Sequence, residues 1–130
     1  MNDPIADFLI RIKNAAMSHA KTVSVPHSKI KEGLAYILQK EGFLKKVEVV
    51  SDKGKKRIVM TLMEDKGRVR PIEVKRISKP GKRVYVKVNE LKFLKRGLGT
   101  RIISSPSGLI TDREALKKKL GGEVICKVII

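Results

Sequence analysis

With 130 residues, 42% of them hydrophobic, the chain is long enough to bury a core in one domain or in two very small ones. Thirty Lys and Arg residues against thirteen Asp and Glu residues leave a net charge of +17, a self-repulsion that favours a polyanionic partner and above all a nucleic acid. No stretch resembles a membrane span or a secretion signal, and the single Cys126 excludes an internal disulfide, so we expect a cytoplasmic protein.

Two amphipathic helices are predicted in the N-terminal part of the chain. Asp3 can cap the first helix and Pro4 suits its first turn, because the missing amide hydrogen of Pro does no harm there. Arg11, Lys13 and Asn14 would form its polar face, and its apolar residues recur at helical spacing: Ile5, Phe8, Leu9, Ile12 and Ala16. The second helix would be capped by Ser28, end at Gly42 and bury Ile30, Leu34, Ile37 and Leu38.

Strands are predicted around and beyond these helices. Residues 21–26 alternate and end in Pro, and the strand-like runs 43–50 and 57–63 flank a polar turn over 51–56, as in a hairpin. Asp65-Lys66-Gly67 marks the expected boundary between two modules.

The first module, residues 1–65, would be an N-terminal α/β unit made of a helix, a strand, a second helix and the hairpin. It contains twelve basic and eight acidic residues, whereas the C-terminal module, residues 66–130, contains eighteen and five. We therefore expect the surface that binds a polyanion mainly in the C-terminal module.

The C-terminal module begins with two predicted strands. Residues 72–77 and 84–88 alternate around Lys79-Pro80-Gly81, a turn in which Pro presets one dihedral angle and Gly supplies another. Residues 89–96 then indicate a short helical crossing. The module is predicted to be mostly antiparallel strand, which makes the fold class α+β.

The last third of the chain adds a strand, a hydroxyl-rich loop at residues 104–108, a short helix and a final strand. We call residues 104–108 the serine loop. Thr111 and Glu114 form a capping box for the helix. A Gly121-Gly122 turn then precedes an apolar strand in which Cys126 is expected to be a small buried residue.

The composition also indicates which form of nucleic acid would bind. Two Tyr, three Phe and no Trp are too few aromatic residues for the base stacking on which most single-strand readers rely. Lys, Arg and Ser side chains instead suit the phosphates, 2′-hydroxyls and shallow minor groove of helical RNA. Tyr85 alternates with apolar neighbours, so it would point outward and either stack on RNA or simply lie exposed. The expected phosphate contacts are Lys79, Lys82, Arg83, Lys87, Lys92, Lys95 and Arg96.

The serine loop has two interpretations on its residues alone. Ser104, Ser105 and Ser107 can each donate and accept a hydrogen bond, which suits a 2′-hydroxyl or a base edge. An ordinary turn stabilised by its own serines is the alternative, and the residues alone support it better. Glu123 is also open: on the residues alone it would brace the loop or pair with Lys127.

Several short motifs follow one another in a specific order along the chain. The C-terminal module has Gly-Leu-Gly at 97–99, the serine loop, Thr-Asp-x-x-Ala at 111–115 and Gly-Gly-Glu-x-x-Cys at 121–126. Further motifs occupy residues 3–7, 11–15, 26–29, 41–43 and 77–81. In order and spacing they resemble the bacterial-type family of small ribosomal subunit protein eight over nearly the whole chain. Three residues depart from the family pattern: Pro106 replaces a hydroxyl, Ile10 a common Thr and Lys13 the usual Arg.

The resemblance implies a structural constituent of the small ribosomal subunit, without enzymatic activity, cofactor or membrane partner. It implies binding to the central domain of small-subunit rRNA early in assembly, contact with ribosomal protein number five and binding to the protein's own messenger RNA. Together with the basic and aromatic candidates above, the expected rRNA-binding residues are Ser104, Ser105, Ser107, Gly108, Thr111, Gly122, Glu123, Tyr85, Lys82, Arg83, Lys87, Asp3, Pro4, Arg11, Lys13, Asn14, Ser28 and Lys29.

Three other functions compete with this one: a DNA-binding architectural protein, a metal-dependent nuclease and a membrane-surface binder. The chain has no Gly-rich phosphate loop ending in Lys, no cysteine pair for zinc and no Gly-x-Ser-x-Gly elbow. Asp112 and Glu114 are close in sequence, but Glu114 is better used in the helix cap. Catalysis is therefore poorly supported.

Overall fold

The computed structural model describes residues 3–92 and 99–129, which form two compact units. The N-terminal unit is Pro4–Ile72, and the C-terminal unit is Met1–Asp3 with Glu73–Ile130. This division differs from the predicted boundary after Asp65. Helices and antiparallel sheets are both present, so the predicted α+β class is confirmed. No helix in the described ranges is long and apolar enough to cross a membrane.

The N-terminal unit contains two helices, a three-stranded sheet and a small hairpin. Its elements are α1 (Pro4–Met17), β1 (Thr22–Pro26), α2 (Lys29–Lys40), β2 (Leu44–Asp52), β3 (Lys55–Leu62), β4 (Glu64–Asp65) and β5 (Arg68–Val69). The sheet has the antiparallel order β1-β3-β2, and β4 pairs only with β5. Helix, strand, helix and hairpin therefore follow in the predicted sequence.

The buried face of α2 differs in part from the prediction. Ser28 caps the helix as expected, because its Oγ accepts a hydrogen bond from the Lys31 amide at 3.3 Å. The fully buried residues are Leu34, Ala35 and Leu38, whereas Ile30 is 40% exposed. At about 100° per residue the buried arc is centred between Leu38 and Ala35, which places Ile30 at its edge. The prediction that Ile30 is buried was therefore wrong, and Ile37, also predicted to be buried, is only half-buried.

Both hairpins of the N-terminal unit turn at a Lys-Gly pair. The predicted six-residue turn over 51–56 is only Lys53-Gly54, with φ angles of 51° and 79°. Lys66-Gly67, with φ angles of 52° and 78°, forms the same kind of turn between β4 and β5. Two successive positive φ angles match the right-handed twist of a hairpin. β4 and β5, which the Lys66-Gly67 turn joins, lie between the predicted strands 57–63 and 72–77 and were not predicted from the sequence.

The C-terminal unit is organised around its last strand. Its elements are β6 (Glu73–Arg76), β7 (Tyr85–Val86), α3 (Val88–Leu91), β8 (Thr100–Ser105), β9 (Gly108–Thr111), α4 (Asp112–Lys118) and β10 (Gly122–Ile129). β10 pairs antiparallel with β6, β7 and β8, and β9 pairs with β8. The two strands that flank the Pro80-Gly81 turn thus share β10 as a partner, while Lys79 and Lys82 form a bridge across the turn itself.

The core of this unit lies beside α3 and α4. One buried cluster there consists of Val86, Leu91, Ile103, Ile110, Ala115 and Val124. Cys126 is fully buried, as predicted, and burial raises the pKa of its thiol to about 12 although the charge of Arg76 opposes the rise. The predicted helical crossing over 89–96 appears as α3, and residues 93–98 lie outside the described ranges.

Candidate nucleic-acid interface

The serine loop contains the two-residue turn of the β8–β9 hairpin. Ser105 and Gly108 pair across it, with Pro106 and Ser107 at the tip. The Ser105 hydroxyl donates to the Gly108 carbonyl at 2.8 Å and accepts from the Ser107 amide at 3.1 Å. Pro106 occupies the second position of the turn, where its restricted φ is favourable. The ring of Pro106 therefore stiffens the loop at the position where the resemblance predicts a hydroxyl.

The three serines have different environments. Ser105 uses its hydroxyl within the loop, so the interpretation as a self-stabilised turn holds for this residue. Ser107 is exposed, Ser104 is half-buried, and within the described ranges neither hydroxyl makes a hydrogen bond. The strands behind the loop pair Ile103 with Ile110 in the core. A rigid base therefore presents the Ser107 hydroxyl to solvent.

Gly121 and Gly122 allow close approach of neighbouring backbone. A Cβ at Gly122 would lie 2.1 Å from the Ser104 carbonyl oxygen, and one at Gly121 would lie 2.5 Å from that of Val86. Real Cβ atoms do not approach backbone this closely, so neither position accepts a side chain without a backbone shift. Gly122 thus sets the fit of β10 against the base of the serine loop.

Glu123 is held by groups that are distant in the sequence. Its backbone pairs with Ser104 on one side and with Tyr85 on the other. Its Oε2 accepts hydrogen bonds from the Ser78 hydroxyl and from Arg83 Nη1, the latter at 3.0 Å. From the sequence, Lys127 was one of the partners expected for Glu123. In the structure Glu123 instead forms an ion pair with Arg83.

Ser78 is the functional neighbour that sequence reasoning missed. It is fully buried, and its hydroxyl also accepts a hydrogen bond from the Val84 amide at 3.1 Å. Ser78 thereby links the Pro80-Gly81 turn to Glu123. Only its place in the family motif at 77–81 singled it out, since a lone Ser before a turn has no distinctive pattern.

The electrostatics of Glu123 favour its ionised form. Burial by itself raises the pKa of this carboxyl, but the hydrogen bonds from Ser78 and Arg83 and the charges of Arg83 and Arg76 outweigh it. The pKa is lowered from the ordinary value of 4.5. A carboxylate neutralised in this way can lie near phosphates with less repulsion.

Glu123 should contribute to acid sensitivity. Because its folded-state pKa lies below the unfolded value of 4.5, its stabilisation is present above pH 4.5 and is lost as the pH falls through the folded-state pKa. We expect Glu123→Gln to flatten the decline of melting temperature with pH in this range. Glu64→Gln, at an exposed carboxylate in β4, is the control and should leave the slope unchanged. Identical slopes in wild type and Glu123→Gln would contradict this assignment.

Tyr85 and Arg83 lie beside Glu123, which pairs with the serine loop at Ser104. Tyr85 is 67% exposed, which confirms its predicted outward direction. Lys82, Arg83 and Lys87 are also exposed. Thr111, in contrast, is buried, and its Oγ1 accepts a hydrogen bond from the Glu114 amide at 3.2 Å. Thr111 therefore acts as a helix cap in this structure. The candidates Lys95 and Arg96 lie outside the described residues.

The remaining candidates belong mostly to the N-terminal unit. On α1, Arg11 is exposed and pairs with Asp7 at 3.1 Å. Ser28 is engaged as the cap of α2. The other members vary in exposure: Pro4, Asn14 and Lys29 are exposed, and Lys13 is half-buried.

Asp3 belongs to the C-terminal unit, where its carboxylate pairs with Arg76 Nε at 3.1 Å. The structure therefore brings together the serine loop, Gly122, Glu123, Tyr85 and Arg83, and it gives Asp3 a structural partner.

No group of three or more metal-binding side chains is placed to hold an ion in the part of the chain that the structure describes. The arrangement beside the serine loop is instead a set of hydrogen-bond donors and acceptors on a rigid hairpin, next to cations. It can recognise a polar, negatively charged surface of defined shape.

Comparison with known proteins gives consistent results. Residues 3–129 match the family model described as Ribosomal protein S8. The chain is 52% identical over 130 residues to the small ribosomal subunit protein uS8 of Caldanaerobacter subterraneus subsp. tengcongensis, with 98% of each chain covered. It is 48% identical to the protein of that name from Leuconostoc citreum and 50% identical to that from Enterococcus faecalis, again with 98% of each chain covered.

Proposed function

The chain belongs to the ribosomal protein S8 family of the small ribosomal subunit, and from this premise we propose that it binds the central domain of small-subunit rRNA through the serine loop. Members of this family are structural ribosomal proteins rather than enzymes, and their place is the ribosome in the cytoplasm. In this role the protein would fix an irregular RNA helix early in assembly, so that later proteins can join.

The geometry of the serine loop is the observation that carries the proposal. Ser105 holds the loop from within, and the Ile103–Ile110 pair holds it from behind. A preorganised hydroxyl at Ser107 can bind a 2′-hydroxyl or a base edge without an ordering cost at the moment of binding. Glu123 lies opposite Ser104 of the loop and provides a hydrogen-bond acceptor. Tyr85 lies opposite Glu123 on its other side and provides an aromatic ring.

Exposed lysines of the C-terminal unit would supply affinity of a different kind. Lys82 and Lys87 are exposed, and their contacts with phosphates would position the protein without reading the RNA sequence. Recognition of one RNA would then depend on the serine loop, whereas attraction to any RNA would depend on the lysines. The two contributions can be separated by mutation.

We test the proposal by incubating the purified protein with a total-RNA extract at physiological salt and sequencing the RNA that stays bound. A central-domain segment of small-subunit rRNA should be strongly enriched. Binding without any enrichment would leave only general attraction between a cation and a polyanion, and the proposed function would fail.

Substitutions in the serine loop should weaken specific binding. Ser107→Ala removes one hydrogen bond and should reduce affinity for the selected rRNA segment about tenfold, or about 1.4 kcal/mol. Ser105→Ala should cost at least as much, because it removes the two hydrogen bonds that shape the loop. Affinities are measured by filter binding against a random RNA duplex of the same length, for which the losses should be less than about twofold.

Lys82→Ala is the matched comparison for these two variants. It should weaken binding to both RNAs and reduce the slope of log affinity against log salt by about 0.9, the contribution of one phosphate contact. Equal losses on both RNAs in all three variants would show that the loop does not recognise a particular RNA.

Two further partners are part of the proposal. A neighbouring ribosomal protein, number five, would contact the protein in the subunit, and the protein's own messenger RNA would bind where it imitates the rRNA site. Ile10 and Met17, seven residues apart on α1, are 50% and 64% exposed, and such apolar side chains suit a protein contact. A pull-down between the two purified proteins tests this contact.

A further inference from the structure

Three cations form a transverse row across the sheet of the C-terminal unit. Lys127 on β10 lies opposite Lys75 on β6 and, on its other side, opposite Arg101 on β8. Directly opposed residues of an antiparallel pair project from the same face of the sheet. The three side chains therefore share one face, and we call them the cationic row.

The cationic row is unfavourable for the fold on its own. Like charges directly opposite each other on neighbouring strands destabilise a sheet. Arg101 is compensated in part, because its Nη1 lies 3.7 Å from Asp112 Oδ2. Lys75 and Lys127 have no carboxylate within ion-pair distance in the described ranges 3–92 and 99–129. An external anion is the natural compensation for these two charges.

The row lies in a groove that adds further positive charge. The groove has a volume of about 590 Å³ and also includes Lys79 and Lys82, both exposed, from the turn after β6. Glu73 is the one acidic residue in its lining as far as the described residues show. Concave walls lined by one sign of charge concentrate counter-ions, so the groove should attract a polyanion.

We propose that this groove is a second docking surface, which binds phosphates of the RNA backbone independently of sequence. Adjacent strands are about 4.8 Å apart, so the row spans about 10 Å and can reach more than one phosphate. Lysine is suited to this task because it acts as a point charge and reads no base. The inference rests on the proposed RNA binding and adds a contact surface to it.

The cationic row is separated from the serine loop along β8. Arg101 and Ser105 are four positions apart on this strand, a distance of about 13 Å at about 3.3 Å per residue. One folded RNA can therefore touch both surfaces, with the loop reading a specific site and the row holding neighbouring backbone. An acidic segment of another protein is the competing occupant.

Site-specific cross-linking tests the occupant directly. Cys126 is the single native cysteine and is buried, so an introduced thiol can be labelled selectively with a photo-cross-linker. Lys75→Cys, Ser107→Cys and, as a background control on β3, Lys56→Cys are labelled and assembled with small-subunit rRNA and total small-subunit proteins before irradiation. The rRNA concentration is set high enough to offset the binding, weaker by about tenfold, that is expected when the Ser107 hydroxyl is lost. We expect position 75 to cross-link to rRNA well above the background of position 56.

The outcomes separate the inference from the proposed function. Cross-linking of position 107 to rRNA with only protein products, or none, from position 75 overturns the inference alone. Failure of both positions to reach rRNA overturns the proposed function as well.

Salt dependence gives a second, quantitative test. Lys75→Ala/Lys127→Ala should make the loss of rRNA affinity between about 50 mM and about 200 mM salt roughly tenfold smaller, since each phosphate contact contributes about 0.9 to the slope. Lys45→Ala/Lys56→Ala removes the same charge from exposed positions on β2 and β3 and should change this loss little. Equal changes in the two double variants overturn the inference. Melting temperature checks folding and should not fall in Lys75→Ala/Lys127→Ala, because repulsion in the row is relieved.

Discussion

Gly122→Ala should destabilise the C-terminal unit by about 3 to 5 kcal/mol, the largest effect expected of any single substitution considered for this protein. The added Cβ would lie 2.1 Å from the Ser104 carbonyl oxygen and 2.9 Å from its carbonyl carbon. Backbone atoms cannot move aside as a flexible side chain can, so β10 and β8 must separate at the base of the serine loop. The melting temperature should fall by about 10 °C or more.

Gly108→Ala is the matched control for this prediction. Gly108 has φ of +106°, but a Cβ there would meet no atom within 4 Å. Its cost is therefore backbone strain alone, about 1 to 2 kcal/mol. Amide hydrogen exchange in β10 should accelerate strongly in Gly122→Ala and only modestly in Gly108→Ala. Equal effects of the two substitutions would mean that close approach at Gly122 is unimportant.

Asp3→Asn should destabilise the C-terminal unit by about 2 to 3 kcal/mol. The Arg76 side chain is only 9% exposed, and its Nε donates to Asp3 Oδ2 at 3.1 Å, while Nη1 donates to the Ile125 carbonyl. Loss of the Asp3 charge leaves a nearly buried guanidinium without its compensating carboxylate. Urea-induced unfolding, followed by circular dichroism, gives the free energy of unfolding.

Two variants define the origin of this effect. Asp7→Asn breaks an ion pair with Arg11 whose side chains are 58% and 49% exposed, and it should cost less than about 0.5 kcal/mol. Arg76→Met in the Asp3→Asn background should recover part of the loss, because it removes the uncompensated charge. A double variant no more stable than Asp3→Asn alone would argue against charge as the cause.

These predictions also bear on Asp3 as a candidate for RNA binding. Its carboxylate is 19% exposed and already serves Arg76. A loss of rRNA affinity in Asp3→Asn could therefore arise from destabilisation of the C-terminal unit, so the affinity must be compared with the free energy of unfolding of the same variant. Ser107→Ala offers a cleaner measure of RNA contact, since the exposed Ser107 hydroxyl has no structural partner within the described ranges.

Local features of this protein follow from residues close together in the chain. The caps at Ser28 and Thr111 form with amides three residues later, and the apolar spacing of α1 needs only one turn of helix to be recognised. The serine loop was predicted from the apolar pairs on either side of it. The outward direction of Tyr85 was predicted because successive side chains of a strand point to opposite faces. The excess of positive charge in the second half is a property of composition.

Other features depend on contacts between distant residues. Ser78 and Glu123 are 45 residues apart, and Asp3 and Arg76 are 73 apart, so no local pattern could connect them. Glu123 could therefore be assigned a partner only after β10 had been placed between β7 and β8. The sequence also did not show the direction of each serine hydroxyl. The Ser105 hydroxyl forms hydrogen bonds within the loop, whereas Ser107 is exposed to solvent.

The sequence by itself determined the α+β class, the caps of α2 and α4, the expectation of a polyanionic partner and the family, since these depend on composition, periodicity and short motifs. Tertiary structure alone decided that Gly122 is a close-packing position, that Glu123 pairs with Arg83 and that Lys75, Lys127 and Arg101 lie side by side. The physical reason is strand pairing: register in an antiparallel sheet places distant residues about 5 Å apart, and their charges and volumes interact only there.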